Sequence, residues 1–206
     1  MTPELFEVEH FRQFNPSAQT PLLARLEQEA KEEGINIIGP LLARLLYQLT
    51  RVTKAQRVLE LGTATGYSAI WFGQALRRTG GQLVTMEWDA TTAEAARLNI
   101  AEAGLSDIVT VFQGDAVKFL EELKGGEQFD LIFNDIDKEM YSETLDPCVS
   151  LLAPEGLMVF DNTAFKSGGD FLERSYQHPL LETVHLHGFF PDHEPDFDAV
   201  SFMVKK

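Results

Sequence analysis

Val58-Leu59-Glu60-Leu61-Gly62-Thr63-Ala64-Thr65-Gly66-Tyr67-Ser68 is a short apolar run that breaks into a glycine loop and reopens as a helical pattern. Gly62 and Gly66 permit positive φ and close approach of the backbone to a ligand, and the helix that follows offers unpaired N–H groups. The segment reads as a buried strand, a binding loop and a helix start. The G-x-x-x-G spacing, with neither G-x-G-x-x-G nor Gly-Lys-Ser/Thr, argues against dinucleotide and triphosphate ligands. Glu60 points the same way, because a carboxylate beside the loop repels phosphate and attracts a cation.

Working outward, short β-rich runs alternate with longer helix-patterned runs, which predicts an α/β fold: a Rossmann-like, mainly parallel seven-stranded sheet with helices on both faces. Strands are expected at Arg57–Leu61, Gln82–Glu87, Val109–Gln113, Phe129–Asn134, Leu157–Phe160, Thr183–His187 and Ala199–Val204. Helices are expected at Ser68–Arg78, Thr91–Ala103, Ala116–Leu123, Tyr141–Leu152 and Gly169–Gln177. Only the polar stretch Phe190–Asp198 separates the last two strands, so they should pair antiparallel. Residues 1–56 form a helical layer ahead of the core at 57–206, broken at Gly34 and Gly39-Pro40, and the whole chain is expected to be one domain. That layer could lid a site or pack on a second subunit.

In a parallel sheet the strand ends share one edge, and here that edge is acidic. Glu87, 25 residues after Gly62, ends the second strand where a carboxylate can accept from ribose hydroxyls. Gln113-Gly114-Asp115-Ala116 ends the third, and Asp115 could accept from an adenine amino group or simply cap the next helix. Three acids at successive strand ends suit a nucleoside that carries a sulfonium. Further along, Phe129-Asp130-Leu131-Ile132-Phe133-Asn134-Asp135-Ile136-Asp137-Lys138 and Leu157-Met158-Val159-Phe160-Asp161-Asn162-Thr163 end on the same edge. Asp135, Asp161 and Asn162 can converge as the hard oxygen set that Mg²⁺, Ca²⁺ or Mn²⁺ prefers. Read separately, Asp161-Asn162 is also an ordinary turn pair, and Asp137 can pair with Lys138 in solvent.

Glu60 to Ser68, Phe129 to Lys138 with Tyr141, and Phe160 to Thr163 together resemble the cation-dependent O-methyltransferases related to the catechol and caffeoyl-CoA enzymes, over about Val58 to Thr163. The resemblance implies the class I methyltransferase sheet with a reversed last strand. It implies S-adenosylmethionine contacts at Glu60, Gly62, Thr63, Ser68, Glu87, Asp115, Ala116 and Asp135, metal ligands at Asp135, Asp161 and Asn162, and Lys138 as general base. It also implies a small hydroxylated acceptor, catechol-like or phenolic, and a homodimer. Where the family often carries a Gly-Asp-Gly-like turn, this chain has Phe189-Phe190-Pro191-Asp192-His193-Glu194-Pro195-Asp196-Phe197-Asp198. Ile35 to Leu42 is also largely apolar where the family is frequently rich in polar and glycine residues, which leaves its contact with the cofactor open.

Seventeen Lys and Arg against 32 Asp and Glu give a formal charge of −15, which repels phosphate backbones and weighs against a nucleic-acid partner. A related enzyme acting on a hydroxylated uridine in transfer RNA is the alternative this charge disfavours. A catalytically silent nucleoside binder is a second, disfavoured because a pure binder needs no base beside a metal set. The apolar runs are too short to span a membrane, and Glu4, Glu7 and Glu9 do not suit a signal peptide, so a cytoplasmic protein is expected. Cys148, the one cysteine, excludes an internal disulfide and is expected to pack in a helix. His185 and His187 share a strand face and read as ordinary histidines, so no metal role is assigned to them or to His193. Phe189, Phe190 and Phe197 could stack on an aromatic substrate or anchor the loop.

Overall fold

Side-chain alternation along the strands decides how the layers form. In β1 (Arg57–Leu61) Val58 enters one apolar cluster while Leu59 and Leu61 enter the other. β4 (Phe129–Asn134) sends Leu131 and Phe133 to the first and Ile132 to the second. Each buried strand is therefore apolar on both faces, as a sheet covered by helices on both sides requires. The computed structural model describes His10, residues 20–193 and residues 195–206. Glu4, Glu7, Glu9 and Glu194 lie outside the described residues.

The remaining strands are β2 (Gln82–Glu87), β3 (Val109–Gln113), β5 (Leu152–Phe160), β6 (Leu181–Phe189) and β7 (Phe197–Lys205). They form one sheet in the order β3-β2-β1-β4-β5-β7-β6. β1 to β5 pair in parallel, and β7 inserts antiparallel between β5 and β6. The reversed last strand read from the sequence is thus present. The strand order turns back between β1 and β4, and a crevice opens at such a switch point beyond the C-terminal strand ends.

Helices α1 (Pro21–Glu33), α2 (Gly39–Val52), α3 (Tyr67–Thr79) and α4 (Ala90–Glu102) cover one face, where Leu23, Leu42, Leu46, Trp71 and Phe72 are buried in one cluster. α5 (Ala116–Leu123), α6 (Tyr141–Leu151) and α7 (Phe171–Gln177) cover the other around Phe119, Tyr141, Phe160 and Phe171. Phe160 and Phe171 stack at 4.6 Å, and Cys148 is fully buried beside them in the α6 layer. Gly34 ends α1 in the left-handed region, φ 69°, and its N–H returns to the Ala30 carbonyl. Within the N-terminal layer, residues 21–52 pack on the chain's own sheet, with α2 against α3.

Several boundaries differ from the sequence reading. β5 begins at Leu152 rather than Leu157, with a register irregularity against β4 between Phe129 and Leu131. Pro154 and Gly156 conceal this extension, since neither suits a regular strand. β6 and β7 each extend beyond the expected ends, which leaves only residues 190–196 between them. The helix expected from Gly169 starts at Phe171, because Gly169 sits at φ 61°. Among the described residues no helix is long and apolar enough to cross a membrane.

Candidate active site

The ladder of backbone hydrogen bonds continues one residue past the strands, and this places the edge residues side by side. Gly62 N–H donates to Met86 O (2.9 Å), Asp135 N–H to Leu61 O (2.8 Å) and Asp161 N–H to Asn134 O (3.1 Å). Gly62 lies so close to the next strand end that a β-carbon there would stand 2.6 Å from the Asp135 carbonyl oxygen, at φ 94°. Only glycine fits. Ala64 is held at φ 45°, and its N–H donates to Glu87 Oε2 at 2.9 Å. The other Glu87 oxygen accepts from Asp89 N–H at 3.0 Å. Glu87 thus braces the loop as well as presenting a carboxylate to the crevice.

A cavity of about 960 Å³ opens over this edge, within the size range of small-molecule sites. Gly62, Glu87, Ala116, Asp135, Lys138, Asp161 and Asn162 all line it, so seven of the residues read from the sequence meet around one space. Ile35, Asn36 and Ile37 close it from the α1–α2 turn, although the sequence reading left this segment open. Trp88 also lines it and is 74% exposed, a free aromatic face next to Glu87.

Glu60, Thr63 and Ser68 lie behind the loop rather than on the cavity wall. Glu60 is fully buried and accepts from the Thr85 hydroxyl at 2.6 Å, and Thr85 in turn lies 2.5 Å from the Thr63 hydroxyl. Its Oε1 has no hydrogen-bond partner among the described residues. Burial pushes the Glu60 carboxyl up to about 7; the Ser68 and Thr85 hydroxyls oppose this, and the Asp135 and Glu87 charges add to it. A buried carboxyl left incompletely satisfied costs stability when it ionises, and a positive charge brought near it would lower that cost. Asp115 caps α5, accepting from Lys118 N–H at 2.9 Å, and does not line the cavity.

At the other end, Lys138 Nζ stands 2.6 Å from Asp135 Oδ1 and over the Tyr141 ring. Burial raises the Asp135 carboxyl to about 6, with Lys138 opposing the rise and Asp161 adding to it. Asp161 is almost wholly buried, and Asn162 occupies a left-handed turn at φ 48°. The Asn162 amide nitrogen donates to Asp198 Oδ2 at 2.5 Å, so its carbonyl oxygen is the atom it can offer a cation. Tyr141 OH donates to the Asp161 carbonyl at 2.7 Å, which ties the two strand ends together through α6. His193 faces the Asp161 carboxylate, with Nε2 at 2.9 and 3.1 Å from its two oxygens. Burial disfavours charge on His193, but Asp161, the Pro195 carbonyl and Asp198 outweigh it and raise its pKa to about 9.

Among the described residues no three histidine, cysteine, aspartate or glutamate side chains stand in a metal-binding arrangement. Two carboxylates and an amide nevertheless fit a divalent cation chemically, and each carboxylate has a cationic partner: half-buried Asp135 pairs with Lys138, and buried Asp161 with His193. The sequence reading missed His193 and Asp198. A polar side chain in an aperiodic loop carries no periodic signal, and only its contacts reveal a role.

A family model described as O-methyltransferase matches residues 15–184. The chain is 33% identical over 187 residues to a catechol O-methyltransferase of Niastella koreensis, covering 88% of this chain and 83% of that protein. It is 37% identical over 130 residues to a catechol O-methyltransferase of Mycobacterium tuberculosis, covering 63% and 58% respectively. The solved O-methyltransferase of Bacillus cereus, in complex with SAH, superposes with a TM-score of 0.83 at 26% identity, covering 96% of each chain. With the glycine loop and the acidic strand ends in the family's order, the chain belongs to the O-methyltransferase family.

Proposed function

We propose that this protein methylates a hydroxyl of a small catechol-like or phenolic acceptor, using S-adenosylmethionine and a divalent cation held by Asp135, Asp161 and Asn162. One observation carries the reading. The glycine loop with Glu87 and the Asp135–Lys138–Asp161–Asn162 cluster line one cavity, so a nucleoside donor and a chelating acceptor have adjoining places.

When bound, S-adenosylmethionine would bring a methyl group on its sulfonium, and the cation would act as a Lewis acid that acidifies the acceptor hydroxyl. Glu87 offers its carboxylate to the ribose hydroxyls, while Gly62 lets the backbone approach the donor. Glu60, behind the loop, adds negative potential on the side where the sulfonium nucleoside is expected. The role proposed for Lys138 is general base: with the cation in its place at Asp135, Nζ as a neutral amine would receive the acceptor proton and ready the hydroxyl oxygen for the methyl group that S-adenosylmethionine would supply. The Ile35–Ile37 segment covers the cavity, and Trp88 offers its ring beside Glu87; holding the two reactants close in this space would remove the entropy of encounter.

The test is turnover with labelled S-adenosylmethionine, Mg²⁺ or Mn²⁺ and a panel of catechols, flavonoids and hydroxycinnamoyl thioesters. Vicinal diols are expected to accept the label, and a chelator should abolish transfer while cofactor binding persists. Lys138→Ala should lower kcat about 100-fold or more with little change in cofactor affinity. Full activity under chelation would remove the cation from the mechanism, and full activity of the lysine variant would remove the base.

A further inference from the structure

A second cavity, of about 750 Å³, lies between α1, the α1–α2 turn and the 190–196 loop. It shares Ile35, Asn36, Ile37, His193 and Pro195 with the first, so the two spaces adjoin beside the His193–Asp161 pair. A group attached to an acceptor ring in the first cavity therefore has a place to extend. Carboxylates outnumber cations in the lining: Glu27, Asp192 and Asp196 stand against Lys31, which is itself paired with Asp192 at 3.3 Å, while His193 is engaged by Asp161. Gly34 and Ile35, just past the last turn of α1, add the partial negative charge of a helix C-terminus.

Glu27 is the group in this lining that lacks a partner. It is 8% exposed; its Oε1 accepts from the Tyr67 hydroxyl at 2.7 Å, and its Oε2 accepts from nothing among the described residues. A carboxylate so nearly enclosed is costly unless each oxygen has a donor. Its surroundings are fixed. Tyr67 opens α3 directly after the glycine loop, and Arg25, two residues before Glu27, donates to Asn99 Oδ1 at 3.2 Å, while the Asn99 amide donates to the Thr65 carbonyl at 2.9 Å. On the loop side, Asp192 N–H donates to Asp196 Oδ1 at 3.1 Å, and the Asp192 carbonyl rests against the start of α2, where a β-carbon on Gly39 would stand 2.6 Å away. Both walls hold their carboxylates before anything binds.

We propose that the second cavity is a subsite for the side arm of the acceptor, and that Glu27 selects an arm ending in an ammonium group over one ending in a carboxylate or phosphate. This rests on the acceptor reading above and deepens it by naming the charge of the acceptor. An ammonium would give Glu27 Oε2 the donor it lacks. A neutral arm would fill the space and leave that oxygen unpartnered, and an anionic arm would meet the Glu27, Asp192 and Asp196 carboxylates with Lys31 already paired. The competing role for Glu27 is a brace that only accepts from Tyr67. Glutamine keeps that hydrogen bond and loses the charge, so Glu27→Gln separates the two roles.

The experiment measures kcat and KM of the full chain, with S-adenosylmethionine and Mg²⁺ at neutral pH, on three acceptors that share a catechol ring and differ in one arm: aminoethyl, ethyl or carboxyethyl. Expected is a KM about 10-fold or more lower for the aminoethyl than for the carboxyethyl acceptor, with the ethyl acceptor between them and kcat varying less. In Glu27→Gln the aminoethyl KM should rise toward the ethyl value, so that most of the preference is lost. Equal KM values for the three arms in the unmodified protein, a lower KM for the carboxyethyl arm, or a preference that survives intact in Glu27→Gln overturns the proposal and leaves methyl transfer to a catechol standing. Turnover of none of the three removes the acceptor reading together with it. The three arms compared in the unmodified protein decide the question even if the variant does not fold.

Discussion

Burial of Glu60 sets stability against the role proposed for it. Its carboxyl rises from an ordinary 4.5 to about 7 because burial strips its water, and one oxygen is left without a hydrogen-bond partner. In the folded protein it keeps a proton that the unfolded chain loses between pH 4.5 and 7, so stability falls as pH rises through that window. Glu60→Gln removes the dependence. Denaturant titration should find the two proteins similar near pH 4.5, and the variant more stable above pH 7 by up to roughly 3 kcal/mol. The same variant should bind S-adenosylmethionine more weakly, since the negative charge that destabilises the empty fold is the one the cationic donor needs. An unchanged pH slope would show that Glu60 is not held neutral by its surroundings.

At the scale of single elements, Asp115 separates a structural role from a binding one. Its carboxylate accepts from Lys118 N–H, which satisfies one of the orphan donors that open α5. Asp115→Ala should therefore cost about 1 kcal/mol in a denaturant titration, and Asp115→Asn only a few tenths, since asparagine caps a helix as well as aspartate does. Equal losses in both variants would point to the charge rather than the cap. The β6–β7 connection is the other informative element. With both strands extended, its seven residues, 190–196, bring His193 over β5, and Asp198 at the start of β7 turns the Asn162 amide. Through His193 and Pro195 this connection is part of the cavity wall.

Across the whole molecule, the charge of −15 sets which partners can approach. At physiological salt transfer RNA should not be retained in a gel-shift experiment, because the surface repels the phosphate backbone and releases few counterions. Retention that weakens steeply as salt rises would instead favour an RNA acceptor over a small phenol.

Local pattern was enough to determine the layered fold and its active edge. Period-2 apolar runs, a helix-forming segment after each of the first five strands, and a glycine break after β1 carry that information within windows of about ten residues, so β1 to β4 and α5 were legible to the residue. Parallel pairing then obliges Gly62, Glu87, Asp135 and Asp161 to share an edge, whatever the packing details. Tertiary structure alone decided which side chains turn into the crevice. It set Glu60 behind the loop, and joined His193 to Asp161 and Asn162 to Asp198 across more than thirty positions. Such contacts depend on how α1 and α2 seat an irregular loop against a strand end, and a loop without repeating geometry leaves no periodic trace of where its side chains will lie.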